Sequence, residues 1–95
     1  MASNTFSLVV EDLFVISGRG IIVTGKVIGA PVRLNDRVLI TGGGKVKEAV
    51  VSGVEVSRKM LDMAGVYDDA GLLLRDVIEE EVQVGFVITH AQPGA

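Results

Sequence analysis

Short β-branched and aromatic runs, cut at close intervals by Gly, Pro, Asn and Asp, dominate this chain and leave few alternatives to a β fold. Phe6-Ser7-Leu8-Val9-Val10 and Phe14-Val15-Ile16 flank the acidic pair Glu11-Asp12, which predicts an extended segment with a bulge or jog. Ser17-Gly18-Arg19-Gly20 reads as a turn. Residues 21–29 read as a long strand, with Gly25 where a bend or a close backbone approach requires a missing side chain. Pro31 ends that pairing, and Asn35-Asp36 marks the next turn.

Arg37-Val38-Leu39-Ile40-Thr41 and Lys45-Val46-Lys47-Glu48-Ala49-Val50-Val51, joined by Gly42-Gly43-Gly44, have the pattern of a hairpin. The strand continues to Ser57, and alternation of Val54 and Val56 with Glu55 and Ser57 puts Glu55 and Ser57 on one face. Lys59-Met60-Leu61-Asp62-Met63-Ala64 is too short for a stable helix and is predicted as loop. Ala70-Gly71-Leu72-Leu73-Leu74-Arg75 and Val84-Gly85-Phe86-Val87-Ile88-Thr89 complete the strands, with Asp76 to Glu81 between them as a solvated connection. About six or seven short strands at this spacing predict a barrel or sandwich, in which closure would hide apolar edges. Residues 1–5 and 91–95 are expected to be flexible ends, with Gln92-Pro93-Gly94-Ala95 frayed.

A length of 95 residues suits one hydrophobic core, and 48% apolar content is enough to order it. With no cysteine, disulfides and thiolate metal sites are excluded, so packing must supply the stability. No apolar run is long enough to span a bilayer as a helix, and Met1-Ala2-Ser3-Asn4-Thr5 does not open a secretory signal; a cytoplasmic location and no membrane partner are expected. Residues 1–59 hold eight Lys/Arg and five acids, and residues 60–95 one Arg and seven acids, so the parts carry +3 and −6. No basic cluster is dense enough to argue nucleic-acid binding from charge alone.

Enzyme chemistry is equally thin. Gly42-Gly43-Gly44-Lys45 is not a phosphate-binding loop, because such a motif needs Gly at Leu39 and Ser or Thr at Val46. Gly18-Arg19-Gly20 lacks the third Gly of a dinucleotide fingerprint, which would fall at Val23, and precedes a strand rather than a helix. His90 is the only histidine and sits near the expected mobile end, with no cysteine to activate. The acid pairs Glu11-Asp12 and Asp68-Asp69 and the run Glu79-Glu80-Glu81 read as surface charge, since adjacent acids on a strand face opposite ways.

Val10-Glu11-Asp12-Leu13-Phe14-x-Ile16-x-Gly18-Arg19-Gly20-x-x-Val23-Thr24-Gly25-Lys26-Val27, taken with Gly53-Val54-Glu55, Arg58-Lys59-x-Leu61-Asp62 and Gly71-Leu72-Leu73-Leu74-Arg75, resembles the second domain of translational GTPases of the elongation factor Tu class. The resemblance covers residues 6 to about 90. It implies an all-β fold, a closed six-stranded Greek-key β-barrel, and a non-catalytic module that binds the 3′ end of aminoacyl-tRNA or contacts ribosomal RNA. No GTPase motifs occur in the chain, so no GTP hydrolysis is inherited, and no cofactor or metal is expected.

By that resemblance Glu11, Asp12, Leu13, Phe14 and Ile16 lie against the terminal adenosine, Glu55 reads the adenine and ribose, and Arg19 and Arg58 lie near the tRNA end. Ser57 stands where the family has an aromatic that packs on the next cytidine, and Asp69 where it has Asn near the aminoacyl group. Tyr67 and Asp76 replace family glycines, and Val84 a family Arg. On structural grounds alone, Phe14 and Ile16 serve equally as core residues and Arg19 as a solvated turn residue. The competing function is a protein-interaction scaffold that kept the barrel and lost the tRNA site, with a GTPase domain or another protein as partner; the oligomeric state is open.

Overall fold

A computed structural model describes residues 5–91. The chain is all-β and its sheets are antiparallel, with ten strands among the described residues: β1 (Ser7–Val9), β2 (Asp12–Ile16), β3 (Gly20–Lys26), β4 (Val32–Arg33), β5 (Arg37–Gly42), β6 (Lys45–Val56), β7 (Lys59–Leu61), β8 (Met63–Ala64), β9 (Asp69–Arg75) and β10 (Val87–His90). The main sheet runs β1-β10-β5-β6-β9-β3-β2, with β7 added to β6, and β4 pairs with β8 separately.

Period-2 alternation decides what each strand buries. Ile21 and Val23 in β3, Leu72 and Leu74 in β9, and Val38 and Ile40 in β5 point into one core with Phe6, Leu8, Val10, Val51, Val54 and Ile88. Each such side chain contributes roughly 1.5–3 kcal/mol on leaving water, and no described polar residue is buried among them. Ile22 and Leu73, one residue out of phase, face the outer surface and are only partly covered.

The twelve-residue β6 organises the sheet. Residues 45–50 pair with β5, residues 54–56 pair with β7 on the same side, and residues 50–56 pair with β9 on the other. A register shift between Val51 and Gly53 lets the long strand bend between these partners. Gly25 confirms its expected role, since a Cβ there would lie 2.3 Å from the Val9 carbonyl oxygen, forcing β1 off β3. Ser7 and Ile28 meet in an isolated bridge, each amide donating to the other's carbonyl at 2.9 Å.

Several expectations are corrected. Ten strands occur among the described residues rather than six or seven, because residues 59–64, expected as loop, form β7 and β8, and Val32–Arg33 forms β4 just after Pro31. All three residues of β7 are exposed, so backbone pairing with β6, rather than apolar periodicity, makes it a strand. Ser57 has left the strand for a turn. The segment from Asp76 to Glu81 is not simply solvated: Val77 just before it turns and Val82 just after are buried, and Glu79–Glu81 is a 3-10 turn whose Glu81 carboxylate accepts from the Ile78 amide at 3.0 Å and lies 3.5 Å from Lys47. The last strand starts at Val87, after a turn at residues 84–85. Ala91, expected to be flexible, donates its amide to the Arg37 carbonyl at 2.9 Å; residues 1–4 and 92–95 lie outside the described residues.

Candidate functional site

Cross-strand pairs on a sheet share a face, so the registers define an outer surface without reference to function. Asp12 lies opposite Thr24 and Phe14 opposite Ile22; Thr24 then pairs with Gly71, Ile22 with Leu73, Gly71 with Glu55, and Glu55 with Met60. One face of β2-β3-β9-β6-β7 therefore carries an apolar field with Glu55 inside it.

Two clefts open on that face. The apolar one, about 210 Å³, is lined by Ile16, Arg19, Ile22, Gly53, Glu55, Met60, Gly71 and Leu73. Gly71 forms part of its floor: a Cβ there would stand 3.5 Å from Ile22 Cγ2 and 3.7 Å from Glu55 Oε1, ordinary contacts that would fill the cleft without a clash. The polar one, about 340 Å³, is lined by Glu11, Thr24, Gly25, Glu55, Ser57, Arg58, Asp69, Ala70 and Gly71. Glu55 and Gly71 belong to both, so the two clefts meet at that carboxylate.

The β6–β7 hairpin delivers the polar groups. Ser57 and Arg58 form its two-residue turn with φ of 53° and 67°, a left-handed conformation that the twist of the strands favours and that non-glycine residues resist. Glu11 is held where β1 jogs into β2, its amide donating to the Thr24 carbonyl at 2.7 Å. Asp69 pairs with Lys26 at 3.4 Å on the surface, where screening leaves such a contact little energy. Neither Arg19 nor Arg58 is in an ion pair among the described residues. Also among the described residues, no three His, Cys, Asp or Glu side chains are grouped to hold a metal ion.

The ten residues expected at a site thus divide. Ile16, Arg19 and Glu55 line the apolar cleft, and Glu11, Glu55, Ser57, Arg58 and Asp69 the polar one. Phe14 is 51% exposed on the same face, not core, and lines neither cleft. Asp12 accepts from the Leu13 amide at 2.8 Å, and the Leu13 side chain packs against the core instead of the outer face. Sequence reasoning missed Ile22, Gly53, Met60, Gly71 and Leu73. Strict alternation within Gly20–Lys26 and Asp69–Arg75 carries the signal for Ile22, Gly71 and Leu73, but an unbroken Leu72-Leu73-Leu74 run hides it.

His90 is held rather than mobile. Its Nε2 donates to Asp36 Oδ2 at 2.9 Å, its ring lies 5.2 Å from that of Phe6, and Asp36 Oδ2 also accepts from the Arg33 amide at 2.8 Å. This ties β10 to the turn before β5. No helix among the described residues is long and apolar enough to cross a membrane. No protein-family model matches the chain.

Proposed function

We propose that this chain is a non-catalytic RNA-binding module of the translation-factor domain 2 type, a closed six-stranded Greek-key barrel that takes the 3′-terminal nucleoside of an aminoacyl-tRNA on its outer face in the cytoplasm. The observation that carries this reading is a carboxylate, Glu55, at the junction of an apolar and a polar cleft. Ile22, Leu73 and Met60 cover a base face, Gly71 leaves room for it, and Glu55 accepts from the ribose hydroxyl or an exocyclic amine. Arg58 and Arg19, with no internal ion pair among the described residues, are left to meet phosphates.

Two further observations support the family reading. The ladder β1-β10-β5-β6-β9-β3 is six strands long, and an isolated bridge joins Ser7 of β1 to Ile28, two residues past the end of β3. Tyr67 and Asp76, where the resemblance calls for glycine, have φ of 75° and 63°, the conformation that favours glycine. A second reading, a protein-interaction scaffold, draws on the three acids Glu11, Glu55 and Asp69 around the one Arg of the polar cleft, which oppose a polyanion.

The test is a fluorescence-anisotropy titration of aminoacylated and deacylated tRNA and of a ribosomal RNA fragment, at two salt concentrations. Saturable binding that prefers the aminoacylated end, and weakens about tenfold in Glu55→Ala and Arg58→Ala, is expected. Absence of binding at low salt leaves the scaffold; preference for the ribosomal fragment moves the assignment to ribosomal RNA.

A further inference from the structure

The chain has no cysteine, which leaves its three methionines as the side chains that a peroxide oxidises most readily. Met1 lies outside the described residues. Of the other two, Met60 is 70% exposed and Met63 39%, and access to the sulfur sets the order of reaction, so Met60 comes first.

Met60 also borders the apolar cleft. It stands on β7 directly opposite Glu55 of β6, and its methyl end reaches back over the sheet: a Cβ on Gly53 would lie 3.5 Å from Met60 Cε and 3.3 Å from Leu73 Cβ. The thioether therefore walls the cleft while staying open to solvent. Of the other side chains lining that cleft, Ile16, Ile22 and Leu73 are hydrocarbon, Glu55 is an acceptor, and Arg19 alone is a donor.

We infer that Met60 is a peroxide-sensitive modification site whose oxidation lowers the affinity of the apolar cleft for a nucleoside, an inference that rests on the RNA reading above. A sulfur lone pair attacks one oxygen of hydrogen peroxide; the S–O bond forms as the O–O bond breaks and water leaves, so the thioether loses two electrons and the peroxide gains them. The sulfoxide puts a strong dipole where a polarisable apolar wall had faced the base. Its oxygen finds no donor at Glu55, whose carboxylate repels it, and the one donor that the cleft offers, Arg19, is the group that the RNA reading leaves for phosphate. Oxidation thus removes an apolar contact and competes for Arg19. Methionine sulfoxide reductases reverse the step, so the loss can be undone.

The test treats the full chain with increasing hydrogen peroxide, removes the peroxide, reads oxidation at Met60 and Met63 by peptide mass spectrometry, and measures aminoacyl-tRNA affinity and the urea midpoint before and after. Met60 is expected to gain its oxygen before Met63, with affinity falling roughly threefold to tenfold at an unchanged urea midpoint and returning after treatment with the reductases. Met60→Leu, whatever its starting affinity, should show no further change with peroxide, and Met63→Leu should keep the full loss. An untreated chain that binds no RNA overturns the RNA reading and this inference together. Binding that peroxide leaves unaltered, a loss that survives Met60→Leu or comes with a lower urea midpoint, or earlier oxidation of Met63 overturns this inference alone.

Discussion

The two ends of β6 are joined to their neighbours by the same kind of turn built from different residues. Gly43 and Gly44 connect β5 to β6 with φ of 60° and 77°; Ser57 and Arg58 connect β6 to β7 with φ of 53° and 67°. Both are two-residue hairpin turns with both central residues left-handed, which the right-handed twist of the flanking strands favours. Glycine enters that conformation without steric cost, whereas each side chain there costs on the order of 1 kcal/mol. The glycine turn lines neither outer-face cleft, and the strained turn places a hydroxyl and a guanidinium at the polar one. Left-handed side chains are not confined to the clefts, since Asn35, Tyr67 and Asp76 have φ of 75°, 75° and 63° and line neither.

That contrast can be broken by exchange. Writing the second turn into the first, Gly43→Ser with Gly44→Arg, is expected to cost about 1 kcal/mol net, since the added strain is partly offset by reduced unfolded-state freedom, and is read as a lower urea midpoint at unchanged slope. The reciprocal change, Ser57→Gly with Arg58→Gly, relieves strain but adds unfolded-state freedom, so a net gain of about 1 kcal/mol is expected, and the proposed RNA binding predicts a loss of affinity alongside it. An unchanged midpoint would mean the turn holds no strain. Tyr67→Gly sharpens the point away from the clefts: Tyr67 is 71% exposed, and its replacement should raise stability by roughly 0.5–1 kcal/mol in thermal unfolding. Gly71→Ala has the smallest effect on stability, within about 0.5 kcal/mol, because the new methyl meets only ordinary contacts. The same methyl occupies the apolar cleft, so the proposed site predicts a several-fold lower nucleoside affinity while the fold persists; equal affinity would rule this cleft out as the nucleoside site.

Much of the strand pattern was legible because its signals are local. The turns at residues 17–19 and 43–44, the close approach at Gly25 and most of β3, β5, β6 and β9 follow from glycine placement and β-branched runs. β7 was not legible, since Lys59, Met60 and Leu61 are all exposed and no alternation marks them. The clefts were half legible. Glu55 and Ser57 do line one cleft, but Ser57 arrives there from a turn rather than from the strand face that alternation assigned it. Leu73 was hidden by its buried neighbours Leu72 and Leu74, whose composition gives no phase.

The amino-acid sequence by itself determined that this chain is all-β and roughly where most of its strands stop, because backbone sterics and side-chain alternation act over a few residues. Tertiary structure alone decided that β9 lies between β3 and β6, that Glu55 therefore sits between Gly71 and Met60, and that among the described strands β2 pairs only with β3. These depend on strand pairings between residues distant in the chain, whose hydrogen bonds are the same for any sequence and are selected only by how the whole set of side chains packs into one core.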